Sequence, residues 1–319
     1  MLRFTAKLLI GGLLLAHAIL VRADVVSNTQ PDFQTVMAQG KSSIALDIDN
    51  DSLLMNRNDG FYSSGVRLTQ QYALDVAGVA GSASHLVTYG WRIGHEMYTA
   101  SDIKLPPAQV RAPDHPYAAW LYGGLFREKR RVDGAYTRLG FDLGCLGPCA
   151  AGEWVQTNLH RLINQPLPQG WSRQMKNEFG AVLYADVAPA RWSLQSWLDL
   201  QPSVQGRFGN IFTDVTAAVT LRAGILGDLP AAPTQHLYLK LGARAVGRDA
   251  SLQGGYFSKD NLHTVRPQRL VGQAEAGLQW VRPPFALQAA IVRRSNEIRD
   301  LPASDGAQNF ARLQLVYSP

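Results

Sequence analysis

LYLKLGARA, residues 237–245, decides the reading of the fold. Leu237, Leu239, Leu241, Ala243 and Ala245 occupy every second position, with Tyr238, Lys240, Gly242 and Arg244 between them. Successive side chains of an extended chain point to opposite faces, so this segment carries one apolar and one polar face. The pattern recurs at 270–280, where Leu270, Gly272, Ala274, Ala276, Leu278 and Trp280 oppose Val271, Gln273, Glu275, Gly277 and Gln279. Leu139, Phe141 and Leu143 likewise oppose Arg138, Gly140, Asp142 and Gly144.

Twelve such strands are expected, over about 42–50, 61–73, 84–97, 116–128, 134–145, 178–188, 191–204, 213–225, 234–246, 268–281, 284–295 and 307–318. Several reach the roughly 9–11 residues that a tilted strand needs to cross a bilayer. The connections fall into two sets. One holds 51–60, 98–115, 146–177, 205–212, 247–267 and 296–306; the other holds 74–83, 129–133, 189–190, 226–233 and 282–283. Outer-membrane barrels show this asymmetry, with short periplasmic turns and longer outer loops.

A soluble β-sandwich also alternates, but it requires a strongly apolar inward face and uses shorter strands. Here the polar face carries Arg, Lys, Gln, Asp and Glu, suited to a wet lumen, while the other face suits lipid. Lipid cannot satisfy a free strand edge, so the sheet must close. The expected fold is all-β: a twelve-stranded antiparallel transmembrane β-barrel over residues 42–319, with one short helix in a long extracellular loop.

Residues 1–23, with Arg3, Lys7, the apolar run LLIGGLLLAHAIL and Val21-Arg22-Ala23, read as a secretory signal peptide, and residues 24–41 as a linker. Removing that peptide takes away three basic residues and no acid, so a formal charge of +6 falls to 28 minus 25, or +3. The basic residues are scattered, and the densest run, REKRR (127–131), reads as a solvated turn. Nucleic acid is therefore not an expected partner. The two cysteines, Cys145 and Cys149, could form a disulfide in an oxidising compartment or remain free thiols, and they lack the neighbours of a zinc site.

The period changes once. In WVQTNLHRLI (154–163), Val155, Leu159, Leu162 and Ile163 recur at helical spacing, and the segment lies in the longest outer loop. A loop of that length usually carries function. His160 stands four residues from Gln156 on one helix face, and an imidazole can accept a proton from water near neutral pH. A second polar group ends the first strand, in LDIDNDSLLMNRNDGFYSSG (46–65). Asn50 shares the lipid-facing parity of Ile44, Leu46 and Ile48, which is out of place unless a site opens sideways toward the outer leaflet. Asp49, Asn50, Asp51, Asn58 and Asp59 offer the hard oxygens Ca²⁺ prefers, without the glycine and glutamate of an EF-hand loop.

Together these motifs resemble the outer-membrane lipid A 3'-O-deacylases. The matching residues are Asn50-Asp51, Tyr62-Ser63-Ser64-Gly65, Asp114-His115-Pro116-Tyr117-Ala118-Ala119-Trp120, Gly144-Cys145-Leu146-Gly147-Pro148, Val155-Gln156, His160, Gly170-Trp171 and Asn177-Glu178. The resemblance covers residues 43–190 and implies a site between the barrel wall and the outer-loop helix. It implies His160 as the catalytic histidine, with Asn50, Asp51 and Ser63 in the site and Lys104 as the basic residue of the second outer loop. The mechanism expected on that basis makes His160 the general base, places Ca²⁺ at Asp51, has Gln156 orient the site, and sets Lys104 and Arg111 on the phosphates of lipid A. Serine replaces the family's usual threonine at 63, His115 replaces its usual arginine, and the cysteines depart from its commoner pattern. The implied reaction removes a 3'-linked acyl (acyloxyacyl) chain from lipid A of lipopolysaccharide, in the outer membrane among its lipids, by a monomer. No G-x-S-x-G elbow supports a serine nucleophile. The reading from another class is a non-enzymatic barrel, a pore or a structural or adhesive protein.

Overall fold

The computed structural model describes residues 31–51, 60–76, 84–227 and 233–319. The expected signal peptide and residues 24–30 of the expected linker lie outside the described residues, as do Asn58 and Asp59. The strands are β1 (Lys41–Asn50), β2 (Phe61–Val76), β3 (His85–Thr99), β4 (Ala118–Arg131), β5 (Tyr136–Leu146), β6 (Glu178–Ala188), β7 (Trp192–Gln195), β8 (Leu198–Gly209), β9 (Phe212–Ile225), β10 (Thr234–Asp249), β11 (Leu270–Arg282), β12 (Phe285–Arg294) and β13 (Gln308–Tyr317). Each pairs antiparallel with its sequence neighbour, β1 pairs with β13, and β6 pairs with β8 past the short β7. The result is a closed ring of twelve strands, β1–β6 and β8–β13, with β7 as a short extra strand on β8.

Alternation sorts the two faces. Leu237, Leu239 and Leu241 are exposed on the outside, whereas Tyr238 between them is buried and donates to Glu275 at 2.7 Å. Arg312 lies between Asp49 (2.9 Å) and Glu275 (2.7 Å), and Arg92 grips Asp142 with two bonds of 2.9 and 2.6 Å. Arg207–Asp214, Arg222–Asp199 and Arg244–Glu297 add further pairs inside the wall. Buried charge is tolerated only when paired, and here each partner is supplied by a facing strand or loop. Toward the long-loop end the lumen is filled by Tyr62, Tyr98, Trp120, Tyr122 and Phe310. A polar cavity of about 230 Å³ remains among them, lined also by Arg92, Asp142, Arg207 and Arg312.

Three expectations need correction. The strand placed at 191–204 is two elements, β7 and β8, joined by a tight turn, and the loop placed at 205–212 shrinks to residues 210–211. Pro202 lies where β8 has neither partner on that side, since β6 pairing ends at Val204 and β7 pairing at Leu200. A proline lacks the N–H such a partner would need. The REKRR run is not a turn: Arg127–Arg131 ends β4, and Glu128 points inward to Arg130 (2.8 Å) and Arg138 (2.7 Å). Finally, the linker contains a helix, α1 (Phe33–Gln39), which buries Val36 and sets Phe33 edge-on to Tyr89 at 5.5 Å. Gly40 ends it with its N–H on the Val36 carbonyl at 2.8 Å, where a Cβ would meet that oxygen at 2.4 Å.

Candidate active site

The outer-loop helix, α2, spans Gly152–Leu162. Leu146 ends β5, Gly147 turns the chain with φ +98°, and a short turn of Pro148–Ala150 delivers it to the helix. Cys145 and Cys149 are disulfide-bonded with Cα atoms 6.0 Å apart, tying the end of β5 to that turn. The Cys149 N–H also donates to Asn177 Oδ1 at 2.8 Å.

The helix lies against the outside of the barrel wall. Ala118, Trp120 and Tyr122 belong to the lumen cluster, so Ala119 between Ala118 and Trp120 faces outward. A Cβ on Gly152 would come within 2.5 Å of Ala119 Cβ, so glycine permits this approach. Met97, Ala100, Val110, Tyr117, Ala119, Ala150 and Trp171 form one buried cluster here, with Val155 of α2 packed onto it. Gln156 is 2 % exposed and its Oε1 accepts from Trp171 Nε1 at 2.9 Å. His160, 8 % exposed, follows on the same face. Its Nδ1 lies 2.6 Å from the Pro166 carbonyl. A carbonyl can only accept, so Nδ1 carries the hydrogen and the neutral ring's lone pair lies on Nε2.

The rim of β1 and β2 supplies the second group. Asn50 ends β1 opposite Ser64 and Ala311, on the outward parity of exposed Ile44 and Leu46. Asp51 follows, buried, with Oδ2 accepting from the Gly60 N–H at 2.9 Å. Gly60 packs in turn against Ala100 and Ser101, where a Cβ would sit 3.0–3.1 Å from their atoms. Ser63 is the extra residue of a bulge between Tyr62 and Ser64, and its hydroxyl pairs with Thr99 at 2.5 Å. Asp51, Ser63 and Gln156 therefore border one continuous stretch of packed wall, running from Gly60 through Ala100 to Trp171.

The 100–117 loop completes that border. Ser101 donates its N–H and its hydroxyl to Asp114, each at 2.9 Å, and the Ile103 carbonyl accepts from the Gln169 N–H at 2.9 Å. That bond sets exposed Lys104 beside the segment that follows α2 and holds His160. Arg111 is exposed, next to buried Val110 in the chain. His115 instead turns inward, stacked on lumen-facing Tyr98 with centroids 5.6 Å apart. Burial lowers its pKa, and burial beside His115 lowers that of His263 to about 4.

Four residues that support this candidate site and its neighbouring loop by hydrogen bonds were not among the site residues expected from sequence. His95 Nε2 bonds the Ala150 carbonyl at 2.9 Å ahead of α2. It shares the outward parity of Trp91 and Ile93, the same anomaly that singled out Asn50. Thr99 and Trp171 hydrogen-bond Ser63 and Gln156. Glu178 accepts the N–H groups of Tyr256, Phe257 and Ser258 at 2.8–3.0 Å and the Asn210 amide at 3.0 Å, which fixes the 254–258 loop. Nothing in the sequence links residues that far apart.

The family model described as outer membrane protein LpxR matches residues 13–318. The chain belongs to the LpxR family. Among solved structures, LpxR from Salmonella typhimurium superposes with a TM-score of 0.69 at 19 % identity, covering 87 % of this chain and all of that one. The β domain of the Bordetella autotransporter BrkA covers 88 % of this chain at a TM-score of 0.42 and 10 % identity, with 98 % of its own length matched. No curated protein sequence matches. The family match and the closed barrel place the protein in the outer membrane. At 19 % identity the LpxR superposition establishes the fold, and the family model carries the membership.

Proposed function

We propose that the protein is a lipid A deacylase, a carboxylic ester hydrolase that releases a 3'-linked acyl (acyloxyacyl) chain. The observation that carries this reading is that α2 presents Gln156 and His160 to the outer face of the wall rather than to the lumen. A pore would place its working groups inside. A glycolipid of the outer leaflet would reach this outer face by lateral diffusion.

The Pro166 carbonyl holds the His160 ring with Nε2 as proton acceptor. Nε2 removes a proton from water as that water attacks the ester carbonyl, and returns it to the departing sugar oxygen as the tetrahedral species collapses. Positioned bases of this kind contribute about 10²–10⁴-fold. Gln156 holds the helix on Trp171, so its role is positioning. Asn50 and Ser63 supply neutral donors at the rim where the oxyanion develops. Lys104 and Arg111 offer exposed cations to the lipid A phosphates.

Calcium is part of this proposal. Among the described residues no three His, Cys, Asp or Glu side chains converge on a metal position. A calcium ion here would rest on the single carboxylate of Asp51 with neutral oxygens such as the Asn50 carboxamide, a donor chemistry that hard cations accept. When bound it would supply Lewis-acid stabilisation of the oxyanion. The site faces the outer leaflet in this reading, and the protein acts as a monomer. The test is the mass of lipid A after incubation with purified protein, with and without a calcium chelator.

A further inference from the structure

The face of α2 turned away from the wall borders a groove of about 450 Å³. Its lining includes Glu153, Trp154, Thr157, Asn158 and Arg161 from the helix and Gln174 from the segment after it. Nothing in the reaction described above uses these side chains. Trp154 is 69 % exposed and packs against no other ring among the described residues. The Arg161 guanidinium makes no ion pair or side-chain hydrogen bond among them. Asn158, also in the lining, donates its Nδ2 to the Trp154 carbonyl at 2.7 Å, which anchors the amide and leaves Oδ1 uncommitted. The Gln174 Oε1 is shielded from solvent with no hydrogen-bond partner, so this carboxamide gains one by turning toward a ligand.

The lining is too polar for an acyl chain, since Glu153, Arg161 and two carboxamides would have to be buried against hydrocarbon. It suits a sugar: a flat aromatic face for the C–H surface of a pyranose, amides and a carboxylate for its hydroxyls, and one uncommitted cation for an anionic substituent. Glu153 to Arg161 is eight residues, or about 12 Å of helix, which is longer than a single ring. Charge is divided along that length, with Glu153 at one end facing hydroxyls and Arg161 at the other facing the anion.

We propose that this groove is a saccharide subsite, binding an anionic oligosaccharide with a sugar face on Trp154 and its phosphate or carboxylate on Arg161. This rests on the deacylase reading for its source: the sugar is the carbohydrate portion of the same glycolipid whose ester meets His160 on the other face of the helix. The subsite then anchors the substrate without touching the reacting atoms.

The experiment uses the full-length protein in detergent, with W154A, W154F and R161Q, each checked for folding by heat-modifiable gel mobility. Deacylation is measured on intact lipopolysaccharide and on lipid A freed of its sugars by mild acid. W154A and R161Q are expected to raise KM for lipopolysaccharide about tenfold with kcat unchanged, W154F to keep most of the affinity, and all three to leave lipid A kinetics as in wild type. Equal losses on both substrates would mean a structural effect, and no loss on either would mean no subsite; each overturns the proposal. A calorimetric titration with the oligosaccharide released by acid separates a free from a lipid-linked source. Wild type that binds it, with R161Q that does not, supports the subsite even if no acyl chain is released, whereas wild type that neither binds it nor discriminates between the substrates removes it.

Discussion

Truncating Gln156 to alanine should loosen α2 from the wall without disturbing the barrel. The carboxamide accepts from the Trp171 indole at 2.9 Å, and both side chains are buried. Losing that bond costs about 1 kcal/mol, and an indole N–H left buried without a partner costs about 1–3 kcal/mol more, with overlap between the two. A net 2–3 kcal/mol corresponds to roughly a 30- to 150-fold rise in the population with the helix lifted. Amide hydrogen exchange over residues 152–163 reads that population directly, with β10 and β11 as an internal reference. Acyl-chain release should fall with it, because His160 rides on the same helix. The double variant Gln156→Leu with Trp171→Phe removes donor and acceptor together and should recover part of the protection. Exchange in Gln156→Ala within threefold of wild type would show that this bond does not seat the helix.

Three further outcomes follow from the geometry. Glu178→Ala strands three backbone N–H groups of the 254–258 loop and should cost of order 3 kcal/mol there, seen as faster proteolysis between residues 254 and 262 while β-strand exchange is unchanged. His263 is held below its unfolded value near 6.5, to about 4 by burial beside His115. The unfolded chain therefore binds more protons between those values, and the packing of the 100–117 loop against the 254–269 loop should weaken as pH falls from about 6.5 to about 4. Exchange in those loops reports it, His263→Gln should shrink the response to the part His115 carries, and a double His115→Gln, His263→Gln variant with the wild-type acid response would refute the assignment. With Arg312, Asp49, Glu275 and the aromatic cluster filling the lumen, planar-bilayer recordings should show no stable channel, and sustained conductance would restore the pore reading.

The strands were legible because lipid on one side and paired charge on the other force a two-residue period, as Leu237 to Ala245 displays. That rule failed at residues 191–212, where Trp192, Leu194 and Trp197 are exposed apolar residues of a hairpin and Pro202 sits in a true strand. Helix α1 escaped notice because seven residues carry too little periodicity. The candidate site leaves a trace in the sequence where a polar residue stands on a lipid-facing parity, as Asn50 does, or where the period changes into a helix, as around His160. The Ser63 bulge, the Gly60 contact with Ala100 and the Glu178 latch depend on pairings across the ring, which no local pattern encodes.

The central claim is that an imidazole on the outer-wall helix drives ester hydrolysis at the membrane surface. Purified protein should lower the mass of lipid A by one acyl (acyloxyacyl) chain. His160→Ala, with its heat-modifiable mobility intact, should slow that release by at least about 100-fold. Lipid A left unchanged by the wild-type protein, or released at the wild-type rate by His160→Ala, would contradict the account.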